Sequence, residues 1–196
     1  MLNNRTDVSG KPRKRRWIAL LIAGVLILLT AWLGTRAYIR YSYRLEYREY
    51  VYQYAQTYQL SPSLLFAVIR TESSFHPDAV SSVGARGLTQ ITEETLDWIN
   101  YRSGEDPVAF DQLFDPETSI RCGAYLLRLL FDEFEDTGTV LCAYHAGWGK
   151  VKEWLADPQL SDDGVTIHTV PYGDTSRYRE KVLRTQQIYQ KLYAID

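Results

Sequence analysis

Glu72 is the residue in this chain whose position most demands a chemical explanation. Ser61 and Pro62 read as the N-cap and first-turn proline of a helix, on which Leu65, Val68 and Ile69 form an apolar stripe that Glu72 continues. A carboxyl group carried on such a face loses water. Loss of water disfavours the ionised form and raises the pKa, the property a general acid needs near neutral pH. Carboxylates near helix ends also satisfy backbone donors, so burial alone leaves a structural role open. Other acids fit structural roles better. Glu93 and Glu94 fall in the first turn of a helix capped by Thr92, where negative charge complements the helix dipole, and Asp97 follows one turn later on an exposed face. His76, His145 and His168 lack the spacing of a metal set. Cys122 and Cys142 lie in apolar helical surroundings without activating neighbours, and suit either a disulfide or two small buried hydrophobes.

The elements that position these groups read as helices throughout. Tyr47, Val51, Tyr54, Ala55 and Tyr58 have helical spacing and open the domain with an aromatic stripe of the kind that builds a core. A glycine-rich loop covers residues 75–90, and Pro116 and Glu117 start a long helix reaching Phe134. Residues 140–144 and 151–156 are two short helices around a turn at Gly147 and Gly149, and a final helix runs from about Thr175 to Tyr193. Residues 157–173, with Val165, Thr166, Ile167 and Val170, are the one stretch suited to a small β-hairpin. The expected fold is mainly α.

The N-terminal end has a different character. Residues 17–35 carry no charge and follow Arg13, Lys14, Arg15 and Arg16, with Arg5 and Lys11 further upstream. The length suits a membrane-spanning helix and exceeds the apolar core of a signal peptide, and the basic flank assigns the N-terminus to the cytoplasm. The expected organisation is a basic tail over 1–16, an anchor over 17–35, a Tyr- and Arg-rich juxtamembrane linker over 36–46 and one globular domain over 47–196. Beyond residue 35 there are 16 Lys and Arg against 23 Asp and Glu, a net charge of −7. Nucleic-acid binding requires clustered cations, so that class is excluded.

Four blocks suggest a family. Glu72-Ser73-Ser74-Phe75, Ala79-Val80-Ser81, Gly84-Ala85-Arg86-Gly87-Leu88-Thr89-Gln90-Ile91 and Ala143-Tyr144-His145-Ala146-Gly147, in this order and spacing, resemble the catalytic domain of the soluble-type lytic transglycosylases, whose fold is shared with goose-type lysozyme. The resemblance implies a lysozyme-like helical domain with a long cleft, acting on peptidoglycan glycan strands without a metal or other cofactor. It implies cleavage of the β-1,4 bond between N-acetylmuramic acid and N-acetylglucosamine. Glu72 would serve first as acid and then as base, closing a 1,6-anhydro ring. It implies further that Ser73, Ser81, Gln90 and His145 belong to the substrate site, that Tyr144 holds its hydroxyl near Glu72, and that Tyr178 either packs or touches substrate. A domain of this kind on a single anchor would face the cell wall from the cytoplasmic membrane, alongside other cell-envelope machinery.

The chain departs from the family pattern at four positions: His145 stands for asparagine, Thr89 and Thr92 for methionines, and Ser119 for asparagine. The threonines are expected to make the cleft wall less apolar, and His145 to add a titrating group. Two other readings accompany the transglycosylase one: a muramidase that hydrolyses the same bond, and a non-catalytic wall-binding or assembly protein with the same fold.

Overall fold

A computed structural model describes residues 12–196, with side chains from Arg16 onward. The part of the basic tail that precedes Pro12 lies outside the described residues. The chain divides into two compact units, one ending at Arg44 and the other spanning Leu45–Asp196.

Among the described residues, the first unit holds one helix, α1, over Pro12–Ser42. From Arg16 to Ser42 it is long and apolar enough to cross a membrane, with a mean hydropathy of 2.4 in its most apolar window and nothing in that window buried. Leu21 and Leu28 are about 70% exposed (69% and 72%). The Thr30 hydroxyl reaches the Leu26 and Ile27 carbonyls, and Thr35 donates to the Ala31 carbonyl at 2.8 Å. Both threonine hydroxyls of the stretch are therefore satisfied by carbonyls of their own helix. The helix continues past the apolar residues 17–35 to Ser42.

The second unit is built around α3, Pro62–Ser73, which is apolar on nearly all sides: Leu65, Phe66, Ala67, Val68 and Ile69 are each fully buried. Such a helix must be wrapped by others. The wrapping elements are α2 (Arg48–Thr57), α4 (Glu93–Ser103), α5 (Pro116–Glu133), α6 (Thr137–Ala146), α7 (Trp148–Leu155) and α8 (Gly173–Tyr193). The closest packing joins α3 to α8, where Phe66 and Tyr189 stack with ring centroids 5.4 Å apart. Tyr54 on α2 donates to Glu117 on α5 at 2.9 Å. Side-chain caps begin four of the helices. Ser61, Thr92, Asp115 and Asp136 accept from the backbone amides of Leu64, Thr95, Thr118 and Thr139. Cys122 on α5 and Cys142 on α6 are buried and free, and burial pushes both thiols up to about 11.

Besides α1 running on to Ser42 through most of the stretch 36–46 expected as a linker, the elements differ from the sequence expectation in three places. A 3₁₀ helix over Phe110–Phe114 precedes α5. The turn between α6 and α7 is Gly147 alone, with φ 93°, and Gly149 lies inside α7. The hairpin expected over residues 157–173 is not formed. Side chains take the backbone groups that a strand ladder would use: Asp163 accepts from the Val165 and Thr166 amides at 2.8 and 2.7 Å, Thr139 binds the Val165 carbonyl, and Arg179 binds the Ile167 carbonyl. The only β pairing among the described residues is elsewhere, as isolated bridges from Arg86 to Val80 and to Ile91.

Candidate active site

Helix α3 delivers Glu72 in its last turn and then stops sharply. Ser74 and Phe75 both adopt left-handed backbone conformations, with φ 52° and 67°, which turns the chain into the loop of residues 75–91. Ser73 fastens this turn. Its buried hydroxyl donates to the Leu88 carbonyl at 2.9 Å, with the Ile69 carbonyl at 3.1 Å, and accepts from the Phe75 amide.

The loop is held as a compact platform. Ser81 pairs with Ala85 through backbone and side chain, and the Gln90 amide nitrogen donates to the Ala79 and Gly87 carbonyls at 3.1 and 2.9 Å. Arg86 lies over the rings of Phe110 and Phe114, at 4.1 and 5.3 Å from their centroids, tying the loop to the 3₁₀ helix. Gly87 has φ +75°, and a Cβ there would sit 2.0 Å from the Leu113 carbonyl oxygen. Only glycine fits.

Between this platform and the α6–α7 junction lies a cavity of about 380 Å³, lined by Glu72, Ser81, Gln90, Thr92, Tyr144 and His145 together with apolar groups including Val83, Leu126 and Gly147. The structure thus brings together Glu72, Ser81, Gln90, Tyr144 and His145. Ser73 does not line the cavity, since its hydroxyl is used in fastening the loop. Tyr178 stands behind Glu72 in a buried position and donates its hydroxyl to Glu72 Oε1 at 2.6 Å. Tyr144, expected with its hydroxyl near Glu72, lines the same cavity and feels the Glu72 charge. Its ring stacks on that of Tyr178 at 6.5 Å, but its hydroxyl donates to the Thr89 carbonyl at 2.8 Å. His145 packs on Tyr178 at 4.6 Å between centroids, with Nδ1 3.1 Å from Thr175 Oγ1.

The departures from the family pattern also fall differently than expected. Thr89 is fully buried and faces Ser119, so it is no part of the cleft wall. Its hydroxyl donates to the Ser119 carbonyl at 2.8 Å and its amide donates to Ser119 Oγ at 3.2 Å. Thr92 does line the cavity, while capping α4.

Burial raises the Glu72 carboxyl to about 7, with the Tyr178 hydrogen bond and the nearby Lys181 charge pulling the other way. Burial likewise holds the Tyr144 and Tyr178 hydroxyls well above their ordinary range, so both remain neutral donors. His145 is lowered by partial burial, against the opposing charge of Asp174. Glu72 is the only carboxylate among the described residues that line the cavity. No group of three or more His, Cys, Asp and Glu that could hold a metal is found among the described residues.

The pairing of Tyr178 with Glu72 has a sequence signal. On α8 the buried positions are Thr175, Tyr178, Val182, Thr185 and Tyr189, so Tyr178 is a polar group on an inward stripe, as Glu72 is on α3. Spacing alone does not disclose which two stripes meet.

Known proteins resemble the second unit. The soluble lytic murein transglycosylase of Salmonella typhimurium is 31% identical over 149 residues, covering 74% of this chain and 23% of that protein. The membrane-bound lytic murein transglycosylase C of Edwardsiella ictaluri is 28% identical, covering 75% of this chain and 47% of its own length. Among solved structures, an inactive glutamate-to-glutamine mutant of the lytic transglycosylase of Pseudomonas aeruginosa superposes with a TM-score of 0.70 at 31% identity, covering 81% of this chain and 26% of that one. The 70-kDa soluble lytic transglycosylase of Escherichia coli gives a TM-score of 0.71 at 26% identity, covering 78% and 25%. The chain spans about a quarter of the length of the soluble relatives. The family model described as the transglycosylase SLT domain matches residues 49–165, from α2 to the segment after α7, and the chain belongs to that family.

Proposed function

We propose that this chain is a peptidoglycan lytic transglycosylase held at the cytoplasmic membrane by residues 17–35, with its second unit facing the cell wall. The observation that carries the reading is a single carboxyl group, Glu72, raised to about 7 and lining a cavity that holds no second acid among the described residues. The relatives named as lytic murein transglycosylases support the substrate, and an inactive glutamate-to-glutamine mutant of one of them supports a glutamate as the essential group.

In this mechanism Glu72 donates its proton to the oxygen bridging N-acetylmuramic acid and N-acetylglucosamine while the C1–O bond breaks through an oxocarbenium-like state. The carboxylate so formed then takes the proton of the muramic 6-hydroxyl as that oxygen bonds to C1, which restores the acid and leaves a 1,6-anhydro ring. Retaining and inverting hydrolases divide this work between two carboxyl groups. Here the attacking hydroxyl belongs to the substrate, and its effective concentration replaces the second group. Tyr178 orients Glu72 and stabilises the carboxylate between the two steps. Ser81, Gln90, Tyr144 and His145 bind and orient the sugars, with Gln90 offering Oε1 because its amide nitrogen is engaged in the loop. Ser73 acts through the loop it fastens.

The test is product analysis by mass spectrometry after incubating the full-length chain, in detergent, with purified peptidoglycan. Fragments ending in 1,6-anhydro-N-acetylmuramic acid are expected, and Glu72→Gln should lower their release by about 10²–10⁴-fold. Reducing muramic ends in place of anhydro ends would assign hydrolysis instead. Equal release by Glu72→Gln and the parent chain would exclude both enzymatic readings.

A further inference from the structure

Trp148 opens α7 directly after Gly147, a lining residue of the cavity, yet its side chain is 42% exposed. Large exposed apolar groups are few in this unit, and one of the others, Val83, lines the same cavity from the loop side. The indole is held from one face. The Lys152 ammonium lies 4.3 Å from its ring centroid, and the same ammonium pairs with Glu133 near the end of α5. Glu133 and Leu126 are seven residues apart and so share one face of α5, separated by about 10 Å along its axis. Leu126 lines the cavity. Trp148 therefore lies beside the cavity, towards the C-terminal end of α5, and is partly open to solvent.

From this we propose that Trp148 is a stacking platform for a sugar ring of the glycan strand, extending the binding cleft beyond the residues around Glu72. The inference rests on the transglycosylase reading for the identity of the strand. A saccharide suits the position because its axial C–H face is apolar and packs on an indole, while its hydroxyls stay in water at the rim. Lys152 lies over one face of the indole, so a sugar would pack on the other.

The test compares full-length Trp148→Ala, Trp148→Leu and Trp148→Phe, each checked for an unchanged melting profile, with Tyr101→Ala as a control. Tyr101 is 84% exposed near the C-terminal end of α4, whereas the cavity meets the N-terminal end of that helix at Thr92 and Thr95. On polymeric peptidoglycan, Trp148→Ala and Trp148→Leu should raise KM on the order of tenfold with kcat little changed, Trp148→Phe should recover most of the loss, and Tyr101→Ala should have no effect. Cosedimentation of the same variants with insoluble peptidoglycan, in a Glu72→Gln background, should show the same order of affinity without turnover. An unchanged KM and affinity in Trp148→Ala, or a Leu variant as good as Phe, would overturn the platform. Absence of turnover in the parent chain would instead count against the transglycosylase reading, and the cosedimentation order would still decide the role of Trp148.

Discussion

The hydrogen bond from Tyr178 to Glu72 opposes the burial that surrounds it. Burial favours the neutral carboxyl, while a 2.6 Å donor and the Lys181 charge favour the carboxylate, and the balance settles at about 7. A group that must give a proton and then take one back works best with its pKa near the operating pH. The sign of a perturbation follows. Tyr178→Phe removes an interaction with the ionised form, so the pKa of Glu72 rises above about 7. The acid form then persists to higher pH, and the alkaline limb of the kcat/KM profile should move upward, a shift readable from a pH–rate series on solubilised peptidoglycan. An unmoved limb would mean that Tyr178 does not set this ionisation. His145 contributes differently: its pKa lies below the ordinary histidine value, so at neutral pH it acts as an uncharged ring packed on Tyr178.

At the scale of elements, the loop of residues 75–91 is a part held from three sides. Ser73 holds it to α3, Arg86 to the 3₁₀ helix, and Thr89 to α5 through Ser119. The two departures from the family pattern at 89 and 119 are thus partners, and Gly123 on α5 leaves the room they need, since a Cβ there would sit 2.4 Å from Thr89 Cγ2. The Thr89 carbonyl in turn receives the Tyr144 hydroxyl, so this contact also sets one wall of the site. Thr89→Val and Ser119→Ala should each destabilise the domain by about 1–3 kcal/mol, because each leaves a buried polar partner unsatisfied. The double variant should cost less than the sum, with a coupling on the order of 1 kcal/mol in a denaturant-unfolding cycle. Strict additivity would mean that the two residues do not act as a pair.

At the scale of the whole molecule, a helix suited to lipid and a helical domain suited to water occur in one chain. Removing the apolar character of α1 should separate their roles: Leu21→Arg with Leu28→Arg places two charges in the stretch, at about 2.5–3.5 kcal/mol each for membrane insertion. The double variant should move from the carbonate-washed membrane fraction to the soluble fraction while keeping its activity on solubilised peptidoglycan. Retention in the membrane fraction would show that residues 17–35 are not what holds the protein there.

Much of this arrangement was legible in local pattern. The helical class, the caps at Ser61 and Thr92, the loop from residue 75 and the apolar N-terminal stretch follow from periodicity, capping chemistry and charge, which are properties of neighbouring residues. Glu72 stood out for the same reason, as a charge on an apolar stripe. The hydroxyl that meets it did not, because Tyr178 is 106 residues away and the choice between it and Tyr144 depends on how α8 packs against α3. The absence of a hairpin at residues 157–173 has a similar cause. β-Branched residues suit a strand, but the backbone there is engaged by Asp163 and, from other elements, by Thr139 and Arg179. The sequence by itself determined that polar groups such as Glu72 ride on apolar helix faces and that a loop follows the helix that carries it. Only the tertiary structure decided which of those groups touch, because contact between distant stripes is set by packing and not by spacing along the chain.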